Sequence, residues 1–292
     1  MTPAGAGHVH RSADAIGVFD SGVGGLSVLR ALQAELPQEP FIYVADSGHS
    51  PYGERDDAHV IDRSNAITRF LIEQHHIKAL VVACNTATAA AIKLLRQNFP
   101  ELPIVGIEPA LKPAALSSKT KVIGVLATRG TLNSEKFRAL LESLHGQATF
   151  VLQPCDGLAD AIEHADATKT IAACAYSTGA MGRFGREDGA MDTLVLGCTH
   201  YPFATDTLRS LVGADVAFLE GGAPVARQTR RLLAERGWLG QAANAGSVAP
   251  TIFGTTGDAN NLRMAVQRWL GLSVDVQNFK IHSTFQAARS MP

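Results

Sequence analysis

The sequence predicts an α/β protein of two pseudo-symmetric domains, each a mainly parallel sheet flanked by helices, with the active site in the interdomain cleft. Three observations carry this expectation. Short apolar runs alternate with segments of helical periodicity, the pattern of parallel strands joined by crossover helices. The pattern begins twice: "IGV" at 16–18 returns at 123–125, and "LVVACNT" (80–86) is echoed by "LVLGCTH" (194–200). Finally, Asp20-Ser21, Cys84-Asn85-Thr86, Glu108 and Cys198-Thr199-His200 all fall at strand C-termini, where open α/β sheets bind ligands.

The elements follow in order. "AIGVFD" (15–20) is an apolar run stopping at a turn, the first strand. "GGLSVLRALQAEL" (24–36) spaces its apolar residues as a helix does. "PFIYVADS" (40–47) is a second strand, and "ERDDAHVIDRSNAITRFLIEQHH" (54–76) a long amphipathic helix. "IKALVVACN" (77–85) is a buried strand, "TATAAAIKLLRQNF" (86–99) a helix, and "LPIVGIEPA" (102–110) a strand ended by Pro109. The second start lies at "KVIGVLATRGT" (121–131). Late in the chain, 214–237 reads as strand, turn and helix, and "APTIFGTTGD" (249–258) as strand and turn. The first domain is therefore expected over 15–110, completed by 212–292, with the second over 111–211. Residues 1–14 read as a flexible N-terminal extension.

Bulk properties narrow the function. A chain of 292 residues, 46% hydrophobic, has enough apolar material for one large core or two ordinary ones. Net charge is −1 and no basic stripe appears, which argues against nucleic acid. Arg227, Arg230 and Arg231 read as a solvated helix face. No run of 18 apolar residues exists to span a membrane, and "MTPAGAGHVHRSADA" lacks a signal-peptide core. The expected setting is cytoplasmic, with reduced thiols. The four cysteines form no CxxC pair, so no structural metal is expected. Cys155 and Cys174 read as buried, inert thiols.

Cys84 and Cys198 differ from that background because they share a setting, the end of a buried strand at the start of a helix. The helix dipole there should raise the thiolate fraction above that of a free thiol. Redox disulfide exchange lacks its CxxC motif. Metal ligation with His200 lacks further ligands. Two-base proton transfer needs one thiolate and one thiol on opposite faces of a carbon, which two related half-sites would supply. Thr86, Thr199 and the free N–H groups of the helix N-termini suit a carboxylate. Asp20 has two readings, a helix N-cap or a group that orients an ammonium or supports Cys84. His200 is placed to assist Cys198. "SGVGG" (21–25) is no nucleotide loop and suits a close backbone approach to a ligand. No lysine lies in the strand-end motifs, so pyridoxal chemistry is not expected.

Taken together, "GVFDSGVGGLSVLRAL", "PYGER", "VVACNTATA", "VGIEPALKPA", "GVLATRGTL" and "DTLVLGCTHYP" resemble the cofactor-independent glutamate racemases of the aspartate/glutamate racemase family. These motifs run from about 17 to 203, with a weaker echo at "TTGD" (255–258). The resemblance implies interconversion of L- and D-glutamate, supplying D-glutamate for peptidoglycan, without cofactor or metal. It implies Cys84 as the thiol acting on D-glutamate and Cys198 as the one acting on L-glutamate. It implies substrate binding by Asp20, Ser21, Tyr52, Gly53, Asn85, Thr86, Thr199 and His200, with Glu108 a further polar position. A homodimer is common in the family, although the sequence carries no interface signal. The chain departs from the usual family wording at Gly48 and His49 and around "PCDGLADAIE" (154–163).

Overall fold

The computed structural model describes residues 12–240 and 249–283; residues 1–11 of the expected extension and 284–292 of the tail lie outside the described residues. The strands are β1 (Ile16–Asp20), β2 (Phe41–Ala45), β3 (Ala79–Val82), β4 (Ile104–Gly106), β5 (Val122–Ala127), β6 (Thr149–Pro154), β7 (Thr193–Leu196), β8 (Ala217–Leu219), β9 (Thr251–Thr255) and β10 (Val276–Asn278). They form two sheets, ordered β10-β9-β2-β1-β3-β4 and β6-β5-β7-β8. Every strand pairing within them is parallel.

The expected duplication is visible in this order. β2-β1-β3-β4 in the first sheet corresponds to β6-β5-β7-β8 in the second. β1 and β5 each start a half and each lie between two neighbours; β3 and β7 each run toward a cysteine. The repeat also explains where β8 lies. Residues 212–292 were expected to complete the first half, yet β8 pairs with β7 in the second sheet. It covers the edge of β7 as β4 covers β3, so the chain returns to the first half only after Leu219. The helix Gly222–Glu235 then packs on the helix Leu26–Glu35, and β9 and β10 extend the first sheet. β10 had no signal in the sequence, because three residues in a polar tail show no periodicity.

Strands buried on both faces fill two cores by simple alternation. In the first half, Ile16, Val18, Phe41, Tyr43, Ala79 and Val81 face one core. Phe19, Ile42, Val44, Leu80 and Val82 face the other, beneath the helices Asp57–His75 and Asn85–Asn98. Asp56 caps the longer helix by accepting from the His59 N–H at 2.8 Å, and His76 ends it in the left-handed conformation. The arginine-bearing helix behaves as expected: Arg231 pairs with Glu235 at 2.6 Å on an exposed face. No described helix is long and apolar enough to cross a membrane.

Candidate active site

The carboxyl ends of β1, β3, β5 and β7 converge on one cavity. Its walls include Ser21, Tyr52, Gly53, Cys84, Asn85, Thr86, Thr128, Cys155, Cys198, Thr199 and His200. Two sheets therefore contribute one sulfur each to a shared space. Cys84 follows β3 and caps the helix Asn85–Asn98, its Sγ accepting from the Ala87 N–H at 3.4 Å. Its thiol also donates to Ser21 Oγ at 3.8 Å. Burial pushes this thiol far above the ordinary range, and the nearby Asp20 carboxylate pushes it further. The expected gain in thiolate from the helix terminus is thus overturned at Cys84. A fully desolvated sulfur beside an acid outweighs a dipole worth at most ~2 kcal/mol.

Cys198 follows β7 and meets different company. His200 Nδ1 lies 3.8 Å from its sulfur, and His200 Nε2 lies 2.7 Å from Glu163 Oε2. Burial pulls the imidazole down, but its hydrogen bonds to Cys198 and Glu163 prevail and hold it well above its usual range. His200 therefore favours its protonated form. Glu163 accepts in addition from the Val23 N–H at 2.8 Å and Ser47 Oγ at 2.9 Å. Burial would raise its carboxyl, but these bonds and the His200 charge lower it. Glu163 escaped sequence reasoning. It ends the short helix Leu158–Glu163, its partner lies 37 residues onward, and nothing local marks a carboxylate as buried. The one available hint was its place in the segment that departs from family wording.

Asp20 is wholly buried and does not line the cavity. Its Oδ1 accepts from the Ser21 N–H at 2.6 Å and Ser21 Oγ at 3.2 Å, and its Oδ2 from Thr199 Oγ1 at 2.9 Å. The N-cap reading falls, because the following helix starts at Leu26 with Gly25 as its cap. Burial raises the Asp20 carboxyl despite the His200 charge and the Thr199 bond. Asp20 thus supports the cavity floor from below and holds Ser21 and Thr199 in place.

The glycine-rich turn serves a purpose other than the expected one. A Cβ on Gly22 would sit 2.2 Å from a Glu163 oxygen, and one on Gly24 would sit 2.3 Å from His200 Nδ1. The turn lets backbone approach this ion pair of the opposite half, not a ligand directly. Tyr52 is held by donating to Asp46 Oδ2 at 2.5 Å, and Asp46 is gripped by Arg63 through two nitrogens at 2.9 and 2.8 Å. Glu108 is not in the cavity; it is surface-exposed and paired with Lys136 at 2.5 Å. Cys155, expected to be inert, does line the cavity, whereas Cys174 is wholly buried in the second core. Burial raises the Cys155 thiol to about 12. Among the described residues no cluster suited to a metal ion is present.

Asn85 Oδ1 is buried with no hydrogen-bond partner. An orphaned acceptor on a cavity wall is costly unless something fills the cavity and donates to it. Two thiols, an unsatisfied acceptor and the hydroxyls of Ser21, Thr86 and Thr128 make a site suited to a small polar ligand.

Comparison with known proteins agrees. The family model described as Asp/Glu/Hydantoin racemase matches residues 16–229. A glutamate racemase of Pseudomonas entomophila is 45% identical over 271 residues, covering 91% of this chain and 97% of the relative. The crystal structure of a glutamate racemase isoform from Bacillus anthracis superposes with a TM-score of 0.80 at 31% identity, covering 93% of this chain and 99% of that one. The Escherichia coli glutamate racemase, solved with L-glutamate and an activator, superposes at 0.76 with 29% identity, covering 91% and 97%. With a matching family model over most of its length and relatives of this identity and coverage, the chain belongs to the Asp/Glu/Hydantoin racemase family.

Proposed function

We propose that this protein interconverts L- and D-glutamate by proton transfer at Cα between Cys84 and Cys198, with no cofactor. The observation that carries the reading is that two cysteines from equivalent strand ends of separate sheets open into one cavity. Inversion at carbon needs a base on one face and an acid on the other. Two thiols on separate walls supply both when one is ionised.

In the L-to-D direction, Cys198 as thiolate takes the Cα proton and Cys84 as thiol delivers one to the opposite face. The His200 imidazolium steadies charge on the Cys198 side. The protonated resting state of Cys84 suits it as the donor in this direction. In the reverse direction Cys84 must ionise, and arrival of the substrate ammonium supplies the compensating charge. Asn85 Oδ1 and Ser21 Oγ are placed to accept from that ammonium. Thr86, Thr128 and the N-terminus of the helix Asn85–Asn98 are placed to bind carboxylate. Relatives bearing the name glutamate racemase support the choice of substrate. The cytoplasmic setting rests on four unpaired cysteines. A homodimer and a role in supplying D-glutamate for peptidoglycan rest on the family resemblance. We also infer two domains that meet at the cavity, with the return to the first after Leu219.

Serine at either sulfur tests the mechanism. Cys84→Ser and Cys198→Ser should each lose racemisation in both directions by at least ~10²–10⁴-fold, with glutamate binding retained by calorimetry. In D₂O the parental enzyme should place deuterium at Cα of product while recovered substrate stays largely protiated. Unchanged rates in either variant, or turnover of aspartate without glutamate, would refute the proposal.

A further inference from the structure

Glu163 Oε2 accepts from two donors, His200 Nε2 at 2.7 Å and the Val23 N–H at 2.8 Å. The second donor belongs to the peptide group that joins Gly22 to Val23. The carbonyl of that same group accepts from Tyr43 Oη at 2.7 Å. In a trans peptide the C=O and N–H point in opposite directions. One planar unit therefore spans Tyr43 on one side and Glu163 on the other. His200 Nδ1, 3.8 Å from the Cys198 sulfur, continues the chain. It runs from a phenol in the core of the first half to a thiol at the end of β7 in the second.

Tyr43 lies on β2 and is wholly buried. A buried phenol needs an acceptor, and many carbonyls would serve. This carbonyl is set apart by what its own peptide does next. Gly22 carries no side chain that could fix the plane, so its orientation is left to the bonds at its two ends. A Cβ on Gly25 would lie 2.9 Å from Tyr43 Oη, so the turn also packs down on the hydroxyl. Hydrogen bonds in series strengthen one another by about 10–30% per bond. A phenol donating to the carbonyl thus makes the Val23 N–H a better donor. The loop after β2 supplies Ser47, which donates to Glu163 Oε1 at 2.9 Å. β2 and its loop therefore address both oxygens of a carboxylate from the opposite half.

We propose that Tyr43 is a positioning residue for proton transfer at Cys198, acting through the Gly22–Val23 peptide on Glu163 and His200. Its hydroxyl fixes the plane, the plane fixes the carboxylate, and the carboxylate keeps the imidazole protonated beside the sulfur. Without the hydroxyl, the buried Gly22 carbonyl is orphaned, and the peptide turns to find another donor. The Val23 N–H leaves Glu163 with it. A buried carboxylate short of one donor then takes the shared proton from His200 Nε2 onto Oε2. This deepens the two-thiol reading and rests on it.

The test compares Tyr43→Phe, which removes only the hydroxyl, with Phe253→Leu, which loosens the same core. Phe253 packs beside the Tyr43 ring, centroids 6.2 Å apart, and is no member of the chain. Tyr43→Phe should lower kcat/KM for both glutamate enantiomers about 10-fold, the size of one hydrogen bond, and mainly through kcat. The primary isotope effect with α-deuterated L-glutamate should grow, and that with α-deuterated D-glutamate should shrink. In the unliganded protein the ring-nitrogen resonances of His200 should move toward neutral imidazole values. Phe253→Leu should lower the melting temperature and leave isotope effects and ring resonances at parental values. A further measurement does not depend on how well Tyr43→Phe folds. A ring-fluorinated tyrosine in place of Tyr43 keeps the hydroxyl and donates more strongly, so the Val23 amide proton should move downfield. Isotope effects that move together in Tyr43→Phe, the same asymmetry in Phe253→Leu, unmoved His200 resonances or an unmoved Val23 amide would each overturn the inference. Resonances that move as expected in a parental protein that does not racemise glutamate would overturn the racemase reading alone.

Discussion

Replacing Glu163 by Gln keeps its shape and removes its charge, which isolates what the buried ion pair does. The carboxylate accepts three bonds, from His200, Val23 and Ser47. Without it, only the contact with Cys198 opposes burial, and the imidazole shifts toward its neutral form. Leaving a buried charge unpaired would cost about 3–5 kcal/mol, so the imidazole avoids that cost by losing its proton. Losing a preorganised charge beside a reacting sulfur costs about 2.7–4 kcal/mol, or ~10²–10³-fold in rate. Because the two enantiomers are equal in free energy, kcat/KM must fall by the same factor in both directions. The asymmetry emerges in isotope effects. Proton removal by Cys198 becomes more rate-limiting, so the primary effect with α-deuterated L-glutamate should grow. Removal by Cys84 becomes less so, and the effect with α-deuterated D-glutamate should shrink. The pH dependence follows the same pair. Glu163 sits below its unfolded value, so its contribution to stability is present above about pH 4.5 and lost as pH falls through its folded value. His200 sits above its unfolded value, so its contribution is full below about pH 6.5 and lost as pH rises through its folded value. The assay is progress-curve polarimetry with each labelled enantiomer. A kcat/KM within about three-fold of parental, or isotope effects that move together, would refute the assigned role.

Two other outcomes follow from the geometry. Gly24→Ala places a methyl 2.3 Å from His200 Nδ1; overpacking should destabilise by about 1–3 kcal/mol and cut activity by displacing the imidazole, read by thermal melting and polarimetry. Asp192 is pulled up by burial but held down to about 2 by bonds from Ser118, Thr120, Lys119 and Thr193. Its stabilising effect is complete above the ordinary aspartate value of 3.8 and is lost as pH falls toward its folded value. Asp192→Asn should therefore flatten the melting temperature against pH in that window.

The sequence made the two sulfurs legible because each closes an apolar run, and a strand that stops at a polar residue in an α/β pattern opens onto the ligand face. Asn85, Thr86, Thr199 and His200 came with them as chain neighbours, and Ser21 came from the end of β1 by the same strand-end logic. Tyr52 and Gly53 were placed by resemblance and do line the cavity. Glu108 followed the same strand-end logic and missed, because β4 lies at the edge of its sheet and its end points past the cavity. Glu163 and Asp46 were hidden for a different reason. A carboxylate is exposed by default, and only a tertiary partner makes its burial tolerable. β8 was assigned to the wrong half because a three-residue strand takes its partner from topology, not from its own residues.

The duplication is kept in strand order and broken in charge. Cys84 and Cys198 end equivalent strands, yet one has a buried aspartate nearby and the other faces an imidazolium. The supports also cross over. Asp20, from the first half, is bonded by Thr199 of the second at 2.9 Å. Glu163, from the second half, is bonded by Val23 and Ser47 of the first. Ser27 Oγ reaches the Thr199 carbonyl at 2.9 Å. Neither sulfur's environment is complete within its own half. Separating the halves would strip Glu163 of two donors and Asp20 of one, leaving buried carboxylates short of partners at a cost of about 1–3 kcal/mol for each lost bond. Docking and catalytic electrostatics are therefore one event. Two related halves that each merely held a cysteine would have identical sulfurs; under the proposed mechanism, the division of labour between acid and base arises because each half finishes the other's site.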